Sequence, residues 1–262
     1  MKKNKLNFSS ALIKKISAAS DVIILDTVSS TNTYMKENVT ELKDKTVVLA
    51  YHQTSGRGRC GKTFYSEAHG GLYMSILLEN DSISSANIQI LTICAAVAVC
   101  RGIKKVCNIA VDVKWVNDII YQNRKICGIL CEKVNGKNEI SSGSYIVGIG
   151  ININNADFPQ EIKTIAGSIL CKAGDENFLA SHIAEELFCI VNEDINEVIA
   201  EYRSLIGIMI GKKVKFSLNG AKFSGIATGI NNVGNLIVNS DGKEYILSSG
   251  EVTLKTSNII NN

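Results

Sequence analysis

A glycine-rich, cationic segment at residues 53–62 has the residue types and spacing to bind an anion. It reads Gln-Thr-Ser-Gly-Arg-Gly-Arg-Cys-Gly-Lys, so its glycines alternate with Arg57, Arg59 and Lys62, and Cys60 is its only apolar side chain. Glycines allow backbone shapes in which several N–H groups turn toward one anion. Guanidinium groups add forked donors for phosphate or carboxylate oxygens. The segment predicts an anion-binding loop, with a nucleotide as the first hypothesis.

Residues 56–63 also match the phosphate-loop pattern, which is Gly, four residues and Gly-Lys-Thr. That motif needs a strand before it and a helix N-terminus after it. The strand is plausible over 46–51, but 64–71 has no helical period and ends in two glycines. We therefore disfavour the phosphate-loop interpretation. A solvated basic loop and an arginine-rich RNA contact remain alternatives for this segment taken alone.

A second cationic segment, Val-Lys-Trp-Val-Asn-Asp, lies at residues 113–118. On a strand, Val113 and Trp115 would share the core face and Lys114 would point to the other side. A lysine held in a cleft there suits a phosphate or carboxylate, although a solvent-facing lysine is the plainer alternative. Asp118 is a candidate Mg²⁺ ligand because Mg²⁺ prefers carboxylate oxygen, but Asn-Asp is also an ordinary turn pair.

Hydrophobic periodicity predicts the elements that must position these segments. Helices are predicted over 9–19, 32–38 and 85–106, and a helical period runs over 178–205. Strands are predicted over 21–26, 46–51, 72–78, 110–115, 119–121, 125–134 and 139–153. Asn135-Gly136 is a strong hairpin signal between the last two strands.

The pattern changes near Gly207 to short β runs with tight turns. The runs cover 213–217, 222–229, 236–238, 244–247 and 252–254. Asn219-Gly220 and Asp241-Gly242 are two-residue hairpin turns, so a small β-barrel is predicted. We divide the chain into an N-terminal extension at 1–20, a catalytic domain at 21–208 and a C-terminal barrel at 209–262.

Composition excludes several classes of protein. The chain of 262 residues has 28 basic and 25 acidic side chains, so it lacks the basic stripe of a nucleic-acid binder. It has eight cysteines but no C-x-x-C pair, which disfavours a zinc site. The apolar stretch at 88–99 is too short to span a bilayer, and Lys14 and Lys15 interrupt a signal-peptide pattern. We expect a cytoplasmic protein with reduced thiols.

Several motifs together resemble those of the biotin–protein ligases. They are Ser30-Thr31-Asn32, Gln53 with the Gly-Arg-Gly-Arg-x-Gly-Lys run at 56–62, Lys-Trp-Val-Asn-Asp at 114–118, Gly-Ile-Leu at 128–130 with Glu132, Gly-Ile-Gly-Ile-Asn at 148–152, and Gly-Glu-Val at 250–252. The resemblance covers about residues 22–254, and the motifs occur in the order and spacing of the family.

The resemblance implies an α+β fold, in which a mixed sheet backed by helices, as in class II synthetases, precedes an SH3-like barrel. It also implies a two-step reaction. Biotin and ATP, with Mg²⁺, form biotinyl-5'-AMP, and biotin then passes to a lysine of a biotin carboxyl carrier domain. Cationic side chains suit the first step, because they offset the repulsion between the biotin carboxylate and the triphosphate, which carry charges of the same sign. Whether the chain forms a homodimer is left open by the sequence.

Site residues follow from the resemblance position by position. The residues implied to bind biotin are Ser30, Thr31, Asn32, Gln53, Gly56, Arg57, Gly58, Arg59, Lys114, Gly128 and Leu130. Those implied to bind ATP are Arg57, Arg59, Lys62, Phe64, Lys114, Asn117 and Asn152. Lys114 and Arg59 are implied to be catalytic, and Asp118 is the candidate metal ligand. Helix capping is the alternative role for Ser30 and Thr31.

The chain departs from the family at three positions. Cys60 replaces a residue that is often basic, Val116 stands where proline is usual, and Phe64 stands where tryptophan is common. Only about twenty residues precede the first matching strand, so we expect no sequence-specific DNA binding. The alternatives are a lipoate or octanoate ligase of the same fold, a non-catalytic biotin or nucleotide sensor, and an RNA-binding protein.

Overall fold

A computed structural model describes residues 5–79, 87–135, 144–155, 157–170, 172, 174–218, 220–248 and 252–254. Some sequence predictions fall outside these residues. They concern the start of the helix at 85–106, the start of the strand at 139–153, and the turn or motif residues Gly136, Asn219, Gly250 and Glu251.

Seven strands form one mixed sheet in the order β1-β2-β3-β7-β6-β5-β4. The strands are β1 (Asp21–Val28), β2 (Thr46–Gln53), β3 (Gly71–Glu79), β4 (Asp112–Lys114), β5 (Asp118–Tyr121), β6 (Arg124–Val134) and β7 (Ser144–Asn152). β1 and β2 are parallel, and the remaining neighbours are antiparallel. The predicted mixed sheet is therefore confirmed.

β4 is shorter than the strand predicted over 110–115. Asn108 ends the preceding helix in a left-handed conformation, and residues 115–117 form a turn. The backbone N–H of Trp115 donates to Met209 Sδ at 3.0 Å instead of to a neighbouring strand. Val113 and Trp115 are buried, and Lys114 is half-exposed, as the alternation predicts.

Helices cover both faces of the sheet. They are α1 (Ser10–Ser17), α2 (Thr31–Glu37), α3 (Ile88–Cys107), α4 (Asp175–Ile190) and α5 (Ile195–Leu205). α1, α3 and α4 pack on the face that carries Val47 and Leu49, whereas α2 packs through Met35 on the face that carries Val48. Alternate residues of β2 thus contribute to two cores on opposite faces of the sheet. α2 lies on the face opposite to α1, α3 and α4.

The helical period over 178–205 is divided between two helices. α4 ends at Ile190 and α5 begins at Ile195. Asp194 caps α5, because its side chain accepts the N–H of Asn196 at 2.9 Å. The apolar period continues across the break, so periodicity alone does not reveal the interruption.

The C-terminal segment forms a five-stranded antiparallel sheet in the order β11-β10-β9-β8-β12. Its strands are β8 (Lys213–Leu218), β9 (Ala221–Ile230), β10 (Leu236–Ser240), β11 (Lys243–Leu247) and β12 (Val252–Leu254). Asp241 and Gly242 have φ of 53° and 79°, as expected for the predicted hairpin turn. This small β-domain fits the SH3-like class. The domain boundary near residue 209 stays a prediction.

Across the described part of the chain, every helix is too short or too polar to cross a bilayer.

Candidate active site

A pocket opens to solvent where the N-terminus of α2 meets the middle of the sheet, and it encloses about 300 Å³ when its open mouth is included. Its lining residues are Ser30, Thr31, Asn32, Gln53, Arg57, Phe64, Met74, Gly128, Leu130, Gly148, Ile149 and Gly150. The structure thus brings together seven of the eleven positions predicted to bind biotin. Gly56, Gly58, Arg59 and Lys114 lie outside this lining.

Glycines on β7 make room for the pocket. A Cβ atom on Gly148 would collide with the amide oxygen of Asn32, and a Cβ atom on Gly150 would lie 2.5 Å from the ring of Phe64. A side chain at either position would therefore displace a wall residue of the pocket. Gly148 and Gly150 lie two residues apart on one strand, which puts both on the same face.

The glycine-rich segment folds back on itself as a compact loop. Gly58 N–H donates to the carbonyl of Lys62 at 2.7 Å, and Phe64 N–H donates to the carbonyl of Gly56 at 2.8 Å. Cys60 has a φ of 55° in the short 3₁₀ turn Arg59–Gly61. The next regular element in the described chain is a strand, β3, so the loop lacks the helix of a phosphate loop.

Two side-chain contacts connect this loop to the sheet. The Arg57 guanidinium pairs with the Glu132 carboxylate, with N–O distances of 3.1 and 3.2 Å. Arg59 Nη1 donates to Asn117 Oδ1 at 3.3 Å, and Asn117 Nδ2 donates to the carbonyl of Ile129 at 3.0 Å. The second contact joins the two cationic segments, which are far apart in sequence.

Asp118 pairs with two lysines beside the pocket. Its carboxylate lies 2.6 Å from Lys125 Nζ and 3.8 Å from Lys114 Nζ. Lys125 also reaches the pocket wall, since a Cβ atom on Gly128 would lie 3.2 Å from its Nζ. Because the carboxylate already holds two cations, the geometry does not fit a preformed Mg²⁺ site. The described residues also contain no cluster of three His, Cys, Asp or Glu side chains able to hold a metal.

Asn152 is buried at the end of β7, outside the pocket lining. Its Oδ1 accepts a hydrogen bond from Asn155 Nδ2 at 3.1 Å. Lys62 is exposed, and it too lies outside the lining. The predicted contacts of Asn152 and Lys62 with ATP stay predictions.

The thiols of buried Cys94 and half-buried Cys131 pack in or against the core and are structural rather than reactive. Burial raises the pKa of Cys94 to about 12 and the pKa of Cys131 to about 12. Both thiols therefore stay protonated near neutral pH and behave as small apolar groups.

Sequence reasoning missed Met74, Gly148, Ile149 and Gly150 of the lining, and Lys125 and Ser75 beside it. Met74 lies in an apolar run, where nothing in the pattern separates a pocket residue from a core residue, whereas residues 148–150 lie in the motif at 148–152 and could have been found from it. Lys125 carries no signal until its pairing with Asp118 is known. Ser75 is the one aliphatic hydroxyl in the apolar part of β3, and that signal could have marked it.

Two parts of the chain match known protein families. Residues 24–152 match the Biotin/lipoate A/B protein ligase family, which defines the class of the larger domain. Residues 209–255 match the Biotin protein ligase C terminal domain. With both domains in this order, the chain belongs to the biotin protein ligases.

Similar proteins support the same family. The Bifunctional ligase/repressor BirA of Bacillus subtilis is 40% identical over 146 residues, which are 55% of this chain and 44% of that protein. The protein of the same name from Escherichia coli is 29% identical over 242 residues, which are 90% of this chain and 74% of that protein. This chain thus spans less than half of its Bacillus subtilis relative.

A solved structure shares the fold over nearly its whole length. The biotin protein ligase from Aquifex aeolicus in complex with biotin and ATP is 28% identical, with a TM-score of 0.75. The similarity covers 90% of this chain and 99% of that one. The predicted family and fold class are confirmed.

Proposed function

We propose that the chain is an ATP-dependent biotin–protein ligase. It activates biotin as biotinyl-5'-AMP and transfers biotin to a lysine of a biotin carboxyl carrier domain. The observation that carries this proposal is a pocket lined by Ser30, Thr31 and Gln53, with Arg57 in its wall and Arg59 tied to Asn117 beside it. The Aquifex aeolicus enzyme, whose structure holds biotin and ATP, supports this pair of ligands.

The polar wall of the pocket suits the ring of biotin. Ser30 and Thr31 supply hydroxyl groups and Gln53 supplies an amide, so the wall as a whole offers polar groups that suit a cyclic urea. Phe64 provides an aromatic face over Gly150. Asn152, at the end of β7, is assigned to the adenine of ATP.

Cationic side chains lower the barrier to adenylate formation. The biotin carboxylate must approach the α-phosphate, and negative charge then moves onto the departing pyrophosphate. Arg57, Arg59, Lys114 and Lys125 lie on the loop and strands next to the pocket, where their charge offsets both effects. Mg²⁺ enters with the triphosphate as part of the substrate.

The loop at 56–62 protects the intermediate. Biotinyl-5'-AMP is a mixed anhydride and hydrolyses readily, so the closed loop excludes water until the carrier lysine arrives. That amine needs mainly placement, because adenylate is already a good leaving group. We assign the reaction to the catalytic domain at 21–208 and to the cytoplasm, where free thiols such as Cys94 remain reduced.

The decisive experiment mixes the protein with ATP, Mg²⁺, biotin and a carrier domain, and measures the mass of the carrier. We expect one biotinyl group on one lysine. Parallel reactions with lipoate and octanoate test the alternative acyl ligase. Acylation by lipoate or octanoate but not by biotin would overturn the proposal, as would ATP binding without any acyl transfer.

Lys114→Ala tests the assignment of the catalytic lysine. We expect biotin-dependent pyrophosphate exchange to fall by about a hundredfold, the typical effect of removing one charge-stabilising group. Lys213→Ala, on an exposed position of β8, is the matched control and should not change exchange. Exchange at the wild-type rate in Lys114→Ala would remove Lys114 from the mechanism.

A further inference from the structure

A fully buried serine lies behind the pocket and contacts two of its wall residues. Ser75, on β3, is 0% exposed. Its Oγ lies 2.6 Å from Asn32 Oδ1 and 2.7 Å from Thr31 Oγ1. A hydroxyl has one proton, so Ser75 can donate to only one of these oxygens. The neighbouring hydrogen bonds decide which one.

The amide of Asn32 has a fixed orientation. Its Nδ2 donates to the Glu132 carboxylate at 2.9 Å and to the carbonyl of Leu130 at 3.2 Å. Both of these groups only accept, so they determine which end of the amide is nitrogen. Asn32 Oδ1 therefore faces Ser75 as an acceptor, and the Ser75 proton is committed to it.

The amide of Gln53 is oriented in the same way. Ser66 Oγ donates to the carbonyl of Phe64 at 3.1 Å and so must accept from Gln53 Nε2 at 2.8 Å. Gln53 Oε1 then accepts the backbone N–H of Thr31 at 2.8 Å. The side chain of Gln53 is thereby held from both ends.

The same contacts determine which oxygen accepts the hydroxyl proton of Thr31. Its oxygen lies 2.7 Å from Ser75 Oγ and 3.2 Å from Gln53 Oε1. The shorter contact needs a proton between two hydroxyl oxygens, and the proton of Ser75 is already committed. Thr31 therefore donates to Ser75, which leaves the lone pairs of Thr31 as acceptors at the pocket wall.

We propose that Ser75 is a specificity-determining positioning residue, which makes Thr31 an acceptor for an N–H group of the ligand. This inference rests on the proposed function and refines its substrate class to compounds with a ring N–H at this point, as in a cyclic urea. A ligand that offers only hydrogen-bond acceptors at this point binds more weakly, because the hydroxyl proton of Thr31 is donated to Ser75 and not to the ligand.

Calorimetric binding of two ligands tests this role. The ligands are biotin and its cyclic-carbonate analogue, in which oxygen replaces both ring N–H groups. Wild type should prefer biotin by about tenfold or more, the value of one well-placed hydrogen bond. In Ser75→Ala the proton of Thr31 is no longer held by Ser75 and can turn toward the ligand or toward Gln53 Oε1, 3.2 Å away, so the preference should fall by up to about tenfold. Ser75→Cys keeps the shape of the side chain with a larger and weaker donor and should give an intermediate preference.

Ser181→Ala is the matched control. Ser181 is also 0% exposed and donates to the carbonyl of Asn177 at 2.6 Å, on α4. It should keep the wild-type preference, and thermal melting of each variant checks that it folds. A wild-type preference in both Ser75 variants, or an equal shift in Ser181→Ala, would overturn the role of Ser75. A wild-type protein that binds neither ligand would overturn the proposed function itself.

Discussion

At the scale of single residues, ion pairs and hydrogen bonds hold the cationic side chains of the predicted site in position. Lys114 and Arg59 were predicted from sequence motifs, yet each is held by a partner, Asp118 or Asn117. Glu132 similarly holds both Arg57 and Asn32. A cation that is positioned beforehand needs less reorganisation when charge develops in the transition state. We therefore expect these acidic and amide partners to act as positioning residues.

Asp118→Asn separates two roles of this carboxylate. If Asp118 anchors Lys114 and Lys125, the variant should lower pyrophosphate exchange by about tenfold or more, and extra Mg²⁺ should not restore it. If Asp118 binds Mg²⁺, a higher Mg²⁺ concentration should recover the rate. Asp112→Asn, on the same strand as Lys114, is the control and should keep its activity.

At the scale of elements, one arginine connects the helices that back the sheet. Arg101, on α3, makes ion pairs with Glu186 of α4, Glu193 of the α4–α5 connection and Glu201 of α5, with distances of 3.3, 2.8 and 2.7 Å. Hydrogen bonding to Arg101 lowers the pKa of Glu193 below its usual value of 4.5. Several charges on one guanidinium form a network, which contributes more than an isolated surface pair.

Arg101→Met should therefore destabilise the protein in a pH-dependent way. The lowered pKa of Glu193 stabilises the fold above the unfolded value near 4.5, and this contribution is lost as the pH falls through the folded value. Urea unfolding should give a loss of about 1–2 kcal/mol at pH 7 and a smaller loss at pH 3. The control is Lys105→Met, which breaks the more exposed pair with Glu185 and should cost less. Equal losses at both pH values for Arg101→Met would contradict this account.

At the scale of the whole molecule, the loop between β9 and β10 contacts the turn that follows the proposed catalytic lysine, Lys114. The carbonyl of Gly234 accepts the indole N–H of Trp115 at 2.9 Å and an N–H of Gln89 at 2.6 Å. Met209 and Tyr202 contact the same turn, at Trp115 N–H and the carbonyl of Val116. The position next to Lys114 is thus fixed from the C-terminal side. We therefore expect the small β-domain to take part in positioning Lys114 for the reaction.

Gly234→Ala tests this connection. Gly234 has a φ of 78°, and a Cβ atom there would collide with Ile93. Gly242 has a φ of 79° with nothing near its Cβ position, so Gly242→Ala reproduces the backbone strain alone. Both variants should lose about 1 kcal/mol of stability from that strain, and only Gly234→Ala should also slow adenylate formation, by about tenfold. Equal rates in the two variants would show that the contact does not reach the site.

The sequence by itself determined the family, the fold class and the composition of much of the pocket. Motifs such as Ser30-Thr31-Asn32 and the strand alternation around Lys114 are local patterns, and local patterns can be recognised in the sequence without knowledge of tertiary contacts. The tertiary structure alone decided that Ser75 sets the proton of Thr31, that Lys125 joins Lys114 on Asp118, and that Gly234 holds Trp115. Those contacts depend on strand register and domain packing, which bring together groups that no spacing along the chain connects.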